Sequence, residues 1–124
     1  MGKYVDSFIV AVPKKNLDEY KRIANISADL WMDHGAIDYV ECIADDVSVG
    51  ELTSFPRSVN LEEGEVVIVA YITYENKSHR DEVNKKVFED PRMGEAIDIK
   101  NLPFDGKRMI IGGFETFLER TKGN

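Results

Sequence analysis

The sequence predicts an α+β domain in which a four-stranded antiparallel sheet carries two helices on one face. Three observations predict it. Four segments are rich in β-branched and aromatic residues, as strands are. One long segment repeats its core-type residues at steps of three and four, and a second helical segment lies between a capping serine and a proline. These segments follow one another as β-α-β-β-α-β. No linker, internal repeat or low-complexity tract divides the chain, so residues 1–124 are expected to form one domain. A chain of 124 residues can bury roughly two-thirds of its unfolded surface without staples.

The first strand is residues 4–12 (YVDSFIVAV), ended by Pro13. Asn16, three residues before Glu19, has the spacing of a capping box, and Asp18 and Glu19 suit a helix N-terminus. Tyr20, Ile23, Ala24, Ser27, Trp31 and His34 form one helical stripe over residues 17–34, with Gly35 as a left-handed C-cap. Residues 36–44 (AIDYVECIA) read as the second strand. The polar connection of residues 45–64 is long for a loop, and such loops often carry function or act as arms. Its Leu52, Phe55, Val59 and Leu61 are expected to pack rather than hang free. The third strand contains VVIVAYITY. Ser78 is placed to cap a helix that stops at Asp90, because Pro91 disfavours helical backbone before it. A short helical turn is expected within residues 93–99. The last strand spans residues 109–118 (MIIGGFETFL). Two split βαβ units in this order make the ferredoxin-like arrangement.

Composition excludes several classes of function. With 16 basic and 23 acidic side chains the formal charge is −7, so neither nucleic acid nor an anionic membrane is an expected partner. No apolar run reaches the length of a membrane span. The N-terminal apolar run is interrupted by Asp6 and Ser7 and has no small-residue cleavage motif, so it reads as a strand of a cytoplasmic protein. The single cysteine, Cys42, permits no internal disulfide and is expected to be a buried, inert thiol.

The strands are apolar on both faces. Phe8, Val10 and Val12 oppose Val5, Ile9 and Ala11; Val66, Ile68, Ala70 and Ile72 oppose Val67, Val69 and Tyr71. In the last strand, Met109, Ile111 and Phe117 oppose Ile110, Phe114 and Leu118. Two helices cover one face and leave nothing in the chain for the other, which predicts a homodimer formed sheet to sheet. The plainer alternative is an ordinary surface with a few exposed apolar residues.

Read in order, YVDSFIVAVP, HGAIDYVECIADDV, EEGEVVIVAYITY, DPRM and PFDGKRMIIGGFE resemble the YbaA-like family, small bacterial proteins of unknown function. The resemblance covers nearly the whole chain. It implies the dimeric α/β barrel of the ferredoxin-like class, a superfamily that includes cofactor-free monooxygenases, haem-degrading enzymes and isomerases. It supplies no catalytic residue, and fold alone does not supply function.

His34 and Trp31 share a helix face near a C-terminal end that favours a protonated imidazole, so His34 is a candidate acid or base and Trp31 an aromatic wall. Asp6 and Glu41 interrupt apolar strands, and a carboxylate within a pocket can exchange protons. Their structural alternative is an ion pair with Arg57, Lys107 or Arg108, or an exposed strand end. Gly112 and Gly113 mark either room for a ligand or a bulge or tight packing. Asp45 and Asp46 lack calcium-loop spacing, and no zinc, phosphate-loop or nucleophile-elbow motif occurs, so neither a metal nor a cofactor is expected. Two functions remain open. One is binding or transformation of a small, largely apolar molecule between sheet and helices, lined by Trp31, His34, Tyr71 and Phe114. The other is a non-catalytic dimeric association or regulatory module.

Overall fold

The computed structural model describes residues 2–123. It is an α+β structure built on one four-stranded antiparallel sheet, with strands β1 (Tyr4–Pro13), β2 (Asp38–Ile43), β3 (Glu65–Tyr74) and β4 (Ile110–Glu115). Their order across the sheet is β2-β3-β1-β4. The helices are α1 (Leu17–Asp33), α2 (Phe55–Ser58), α3 (Lys77–Glu89) and α4 (Pro91–Ala96).

Strand register decides which side chains share a face. Tyr4, Asp6, Phe8 and Val10 of β1 pair with Tyr74, Ile72, Ala70 and Ile68 of β3, which in turn meet Tyr39, Glu41 and Ile43 of β2. All of these point toward α1 and α3. The main core forms there, from Leu30 of α1, Val83 and Val87 of α3, and Tyr4, Ile72 and Tyr74 of the sheet. Leu30, fully buried, is the deepest apolar side chain of α1 and lies just off the predicted stripe.

Helix ends follow the predicted chemistry only in part. Asn16 does not cap α1; its amide donates instead to the Pro103 carbonyl at 3.1 Å, tying the helix start to the segment before β4. Gly35, at φ 112°, ends α1 as expected. Its N–H donates to Met32 and the Ala36 N–H to Trp31, the two bonds of a Schellman motif. Asn76 rather than Ser78 caps α3, accepting from the His79 N–H at 2.8 Å. Asp90 ends α3 and caps α4, accepting from the Arg92 N–H, with Pro91 at the first helical position.

The opposite face differs from expectation. Part of the connection after β2 folds back over it. Val59 is buried against Ala11 and Val67, with Leu61 and Ala44 packed alongside, while Leu52 and Phe55 stay exposed. Arg108 fastens this segment. Its guanidinium forks onto both Glu65 oxygens at 2.8 and 2.6 Å and donates to the Val59 and Asn60 carbonyls. Glu65 is held below the usual carboxylate range by this bond. Elsewhere on this face Tyr71, Ile110 and Phe114 are open to solvent, at 40, 41 and 59% exposure. Cys42 lies on the same side and is exposed, not buried, because β2 is an edge strand with no cover there.

Candidate functional site

A cavity of about 250 Å³ lies between the sheet and the helices. The sheet supplies Phe8, Ile72 and Ile111 as its floor, α1 supplies Ile23, Ala24 and Trp31, and α3 supplies Phe88. Ile97, Phe104 and Met109, from the segment between α4 and β4, close one end. The walls are overwhelmingly apolar, with a few placed polar groups, as small-ligand pockets usually are.

The first polar group is Glu41. It shares a strand face with Tyr39, two residues away on β2, and α1 brings Tyr20 over both. Tyr20 Oη donates to Glu41 Oε1 at 2.5 Å, and Tyr39 Oη donates to Oε2 at 2.8 Å. Burial first, and then the Glu41 charge, push both phenols above the usual tyrosine range. Both therefore remain O–H donors at neutral pH. The Ser27 hydroxyl lies beside the Tyr39 oxygen.

The second is Asp6, on β1. Its partner is Arg80 of α3, with Nη1 to Oδ1 at 2.8 Å. Arg80 also lies over the Tyr4 ring, 4.9 Å from its centroid. Burial raises the Asp6 carboxyl above its ordinary value, against the lowering by Arg80. Asn84 of α3 also lines the cavity, and its Oδ1 accepts from Trp31 Nε1 at 3.1 Å. Asp6 and Glu41 are two strands apart and offset by two residues, which places their Cα atoms about 12 Å apart. That spacing suits two separate acceptors rather than a dyad sharing one proton.

The structure thus brings Trp31, Asp6 and Glu41 together on one cavity and places the other predicted residues elsewhere. His34 caps the end of α1 and bonds through Nε2 to Asp90 Oδ2 at 2.8 Å, joining α1 to the start of α4. Tyr71 and Phe114 lie on the opposite sheet face, where the strand alternation sends them. The partners anticipated for Asp6 and Glu41 are also corrected: Arg57 binds the backbone of Val49 and Gly50, and Arg108 binds Glu65. At Gly113 the pairing with β1 runs through without a bulge. The Tyr4 ring occupies the space above it, so a Cβ there would meet Tyr4 Oη and come within 2.7 Å of Cε2. Tyr20 and Ser27 belonged to the predicted helical stripe. The sequence carried no comparable mark for Arg80 or Asn84.

The fold and cavity define an α+β protein with an apolar, carboxylate-bearing cavity beneath its helices. The chain belongs to the DUF1428 family, described as a protein of unknown function, whose model matches residues 3–106. It is 46% identical over 117 residues to the uncharacterized protein YbaA of Escherichia coli (strain K12), covering 94% of this chain and 98% of that one. The same figures hold for the uncharacterized protein YbaA of Shigella flexneri. Among solved structures, the de novo designed protein Foldit4 covers 94% of this chain and 99% of its own at 11% identity, with a TM-score of 0.39.

Proposed function

We propose that the protein binds a small, largely apolar molecule in the cavity between sheet and helices, as a cytoplasmic homodimer. The observation that carries this reading is the unfilled cavity itself, with apolar walls and carboxylates at two points. The strand order β2-β3-β1-β4, with every neighbouring pair antiparallel, supports the ferredoxin-like arrangement. The bare apolar rows on the far face support sheet-to-sheet pairing as a dimeric α/β barrel. Among the described residues no helix is long and apolar enough to cross a membrane.

Ala24 tests the cavity, because its methyl group lines the wall where α1 faces β2. At tenfold excess over its Kd, 2-phenylethanol is expected to stabilise the parent protein by about 1.4 kcal/mol in thermal unfolding. Ala24→Phe fills that space and is expected to abolish the stabilisation while the variant still unfolds cooperatively. Equal stabilisation of both proteins would show that the probe binds somewhere else.

A further inference from the structure

Resting on that reading, we infer that the cavity selects a molecule whose apolar body carries a protonated nitrogen, with Glu41 as the acceptor for that head. Proton donors around the wall are mostly spent on acceptors of the protein itself. Tyr20 and Tyr39 each have one O–H, and both are spent on Glu41. Trp31 has one N–H, spent on Asn84 Oδ1. Tyr74 Oη–H is directed at the same oxygen, at 3.5 Å. Arg80, the partner of cavity-lining Asp6, is committed to Asp6 and Asp81. Among the described residues that line the cavity, the Asn84 amide N–H₂ and the Ser27 hydroxyl beside Tyr39 are the remaining donors, and both are neutral.

Acceptor capacity is in surplus. An ionised carboxylate offers about four lone-pair sites, and the two phenols occupy two of those on Glu41. Two phenol donors hold the Glu41 carboxylate in a fixed orientation, and no cation is paired to it among the described ion pairs. A carboxylate or phosphate entering the cavity would meet the Glu41 carboxylate, while Arg80 is already paired with Asp6. An ammonium would gain a charge-assisted bond to a carboxylate that two phenols already orient.

Glu41 also borders a second, outer depression. Together with Ala24 and Tyr39 it lines a shallow outer groove along α1, which Lys21, Asn25 and Ala28 complete. Lys21 is exposed, so its ammonium can turn to solvent. A bound molecule would therefore place its apolar body toward Trp31 and Ile72 and its head at the groove end. Size sets a further limit. A cavity of 150 Å³ lined by apolar groups holds benzene, so about 250 Å³ suits one ring or a short branched chain with a small head.

Three probes of similar size separate the possibilities: 2-phenylethylamine, 2-phenylethanol and phenylacetate. The chain has one tryptophan, so its indole N–H resonance reports occupancy without ambiguity. The amine is expected to bind about tenfold or more tighter than phenylacetate, with the alcohol between them. Glu41→Gln keeps an acceptor oxygen but removes the charge, and is expected to bring the amine to within about threefold of the alcohol. If Glu41→Gln fails to fold, the ranking on the parent protein decides alone. Binding of all three with equal affinity, or tightest binding of phenylacetate, would overturn the inference while leaving the cavity reading intact. No response of the indole to any of the three would overturn both.

Discussion

Replacing Arg80 by Met is expected to destabilise the protein by about 3–5 kcal/mol at neutral pH, the cost of leaving a buried charge without its partner. The Asp6 side chain is only 8% exposed and Arg80 20%, so water cannot readily take the place of the lost guanidinium. Loss of the contact with the Tyr4 ring adds to the deficit. The pH dependence follows from Asp6. Its folded-state carboxyl is already raised, chiefly by burial. A raised acid binds protons more readily in the folded state, so its favourable contribution is present at low pH and is lost as pH climbs through the folded value. Removing Arg80 raises that value further. The deficit of Arg80→Met should therefore shrink as the solution is acidified from neutrality, when Asp6 becomes neutral in the folded protein. Adding Asp6→Asn to Arg80→Met should recover part of the loss at pH 7, because the uncompensated charge is gone. Denaturant unfolding at several pH values measures all of this. A cost below about 1 kcal/mol would mean that the pair behaves as a surface contact.

Phe114→Asp is expected to convert a dimer into a monomer. The rows across the far face run Asp38–Thr73–Val5–Phe114, Val40–Tyr71–Ser7–Gly112 and Cys42–Val69–Ile9–Ile110. The packed connection covers only the end of the sheet near Ala11 and Val67, so Tyr71 and Phe114 are left as large apolar groups in the open rows. In a sheet-to-sheet dimer each would be covered by the partner, and a carboxylate at residue 114 would be buried without a counter-ion. Burying an unpaired charge costs several kcal/mol, which weakens association on the order of a thousandfold. Light scattering should give twice the chain mass for the parent protein and the chain mass for the variant. Cys42 provides a second readout, since its thiol lies on this face and should react faster with a disulfide reagent in the variant. A parent protein that is monomeric at micromolar concentration would contradict the proposed assembly.

The strands were legible because β-branched residues cluster in four blocks, and α1 because its large residues recur at helical steps. The connection after β2 was legible only as a tendency. Its apolar residues promised packing, but Val59 and Leu61 delivered it while Leu52 and Phe55 did not. Nothing local to those four residues distinguishes the two pairs. The difference is made by Arg108, 49 residues from Val59, which holds the backbone at Val59 and Asn60. The last strand read longer than it is, because its apolar run continues through Phe117 and Leu118 although pairing with β1 ends at Glu115.

At the site, Trp31, Asp6 and Glu41 were visible as an aromatic and two carboxylates breaking apolar patterns. Their partners were not, because Tyr20 on Glu41 and Arg80 on Asp6 are contacts across 21 and 74 residues. His34 shared the helical stripe with Trp31, yet it stands at the C-cap of α1, where Asp90 draws the imidazole toward α4. Tyr71 and Phe114 carried the right chemistry for a ligand wall. Strand alternation puts them on the far face, and a face cannot be assigned until the register is known.

The most direct test of the ligand cavity is where a small apolar molecule binds, read residue by residue. Titration of the isotope-labelled protein with 2-phenylethylamine should shift the Trp31 indole N–H and the methyl groups of Ile72 and Ile111 along one saturable curve, leaving the resonances of Tyr71 and Phe114 unmoved. Shifts confined to Tyr71 and Phe114, with Trp31, Ile72 and Ile111 silent, would place binding on the far face of the sheet and contradict a ligand site beneath the helices.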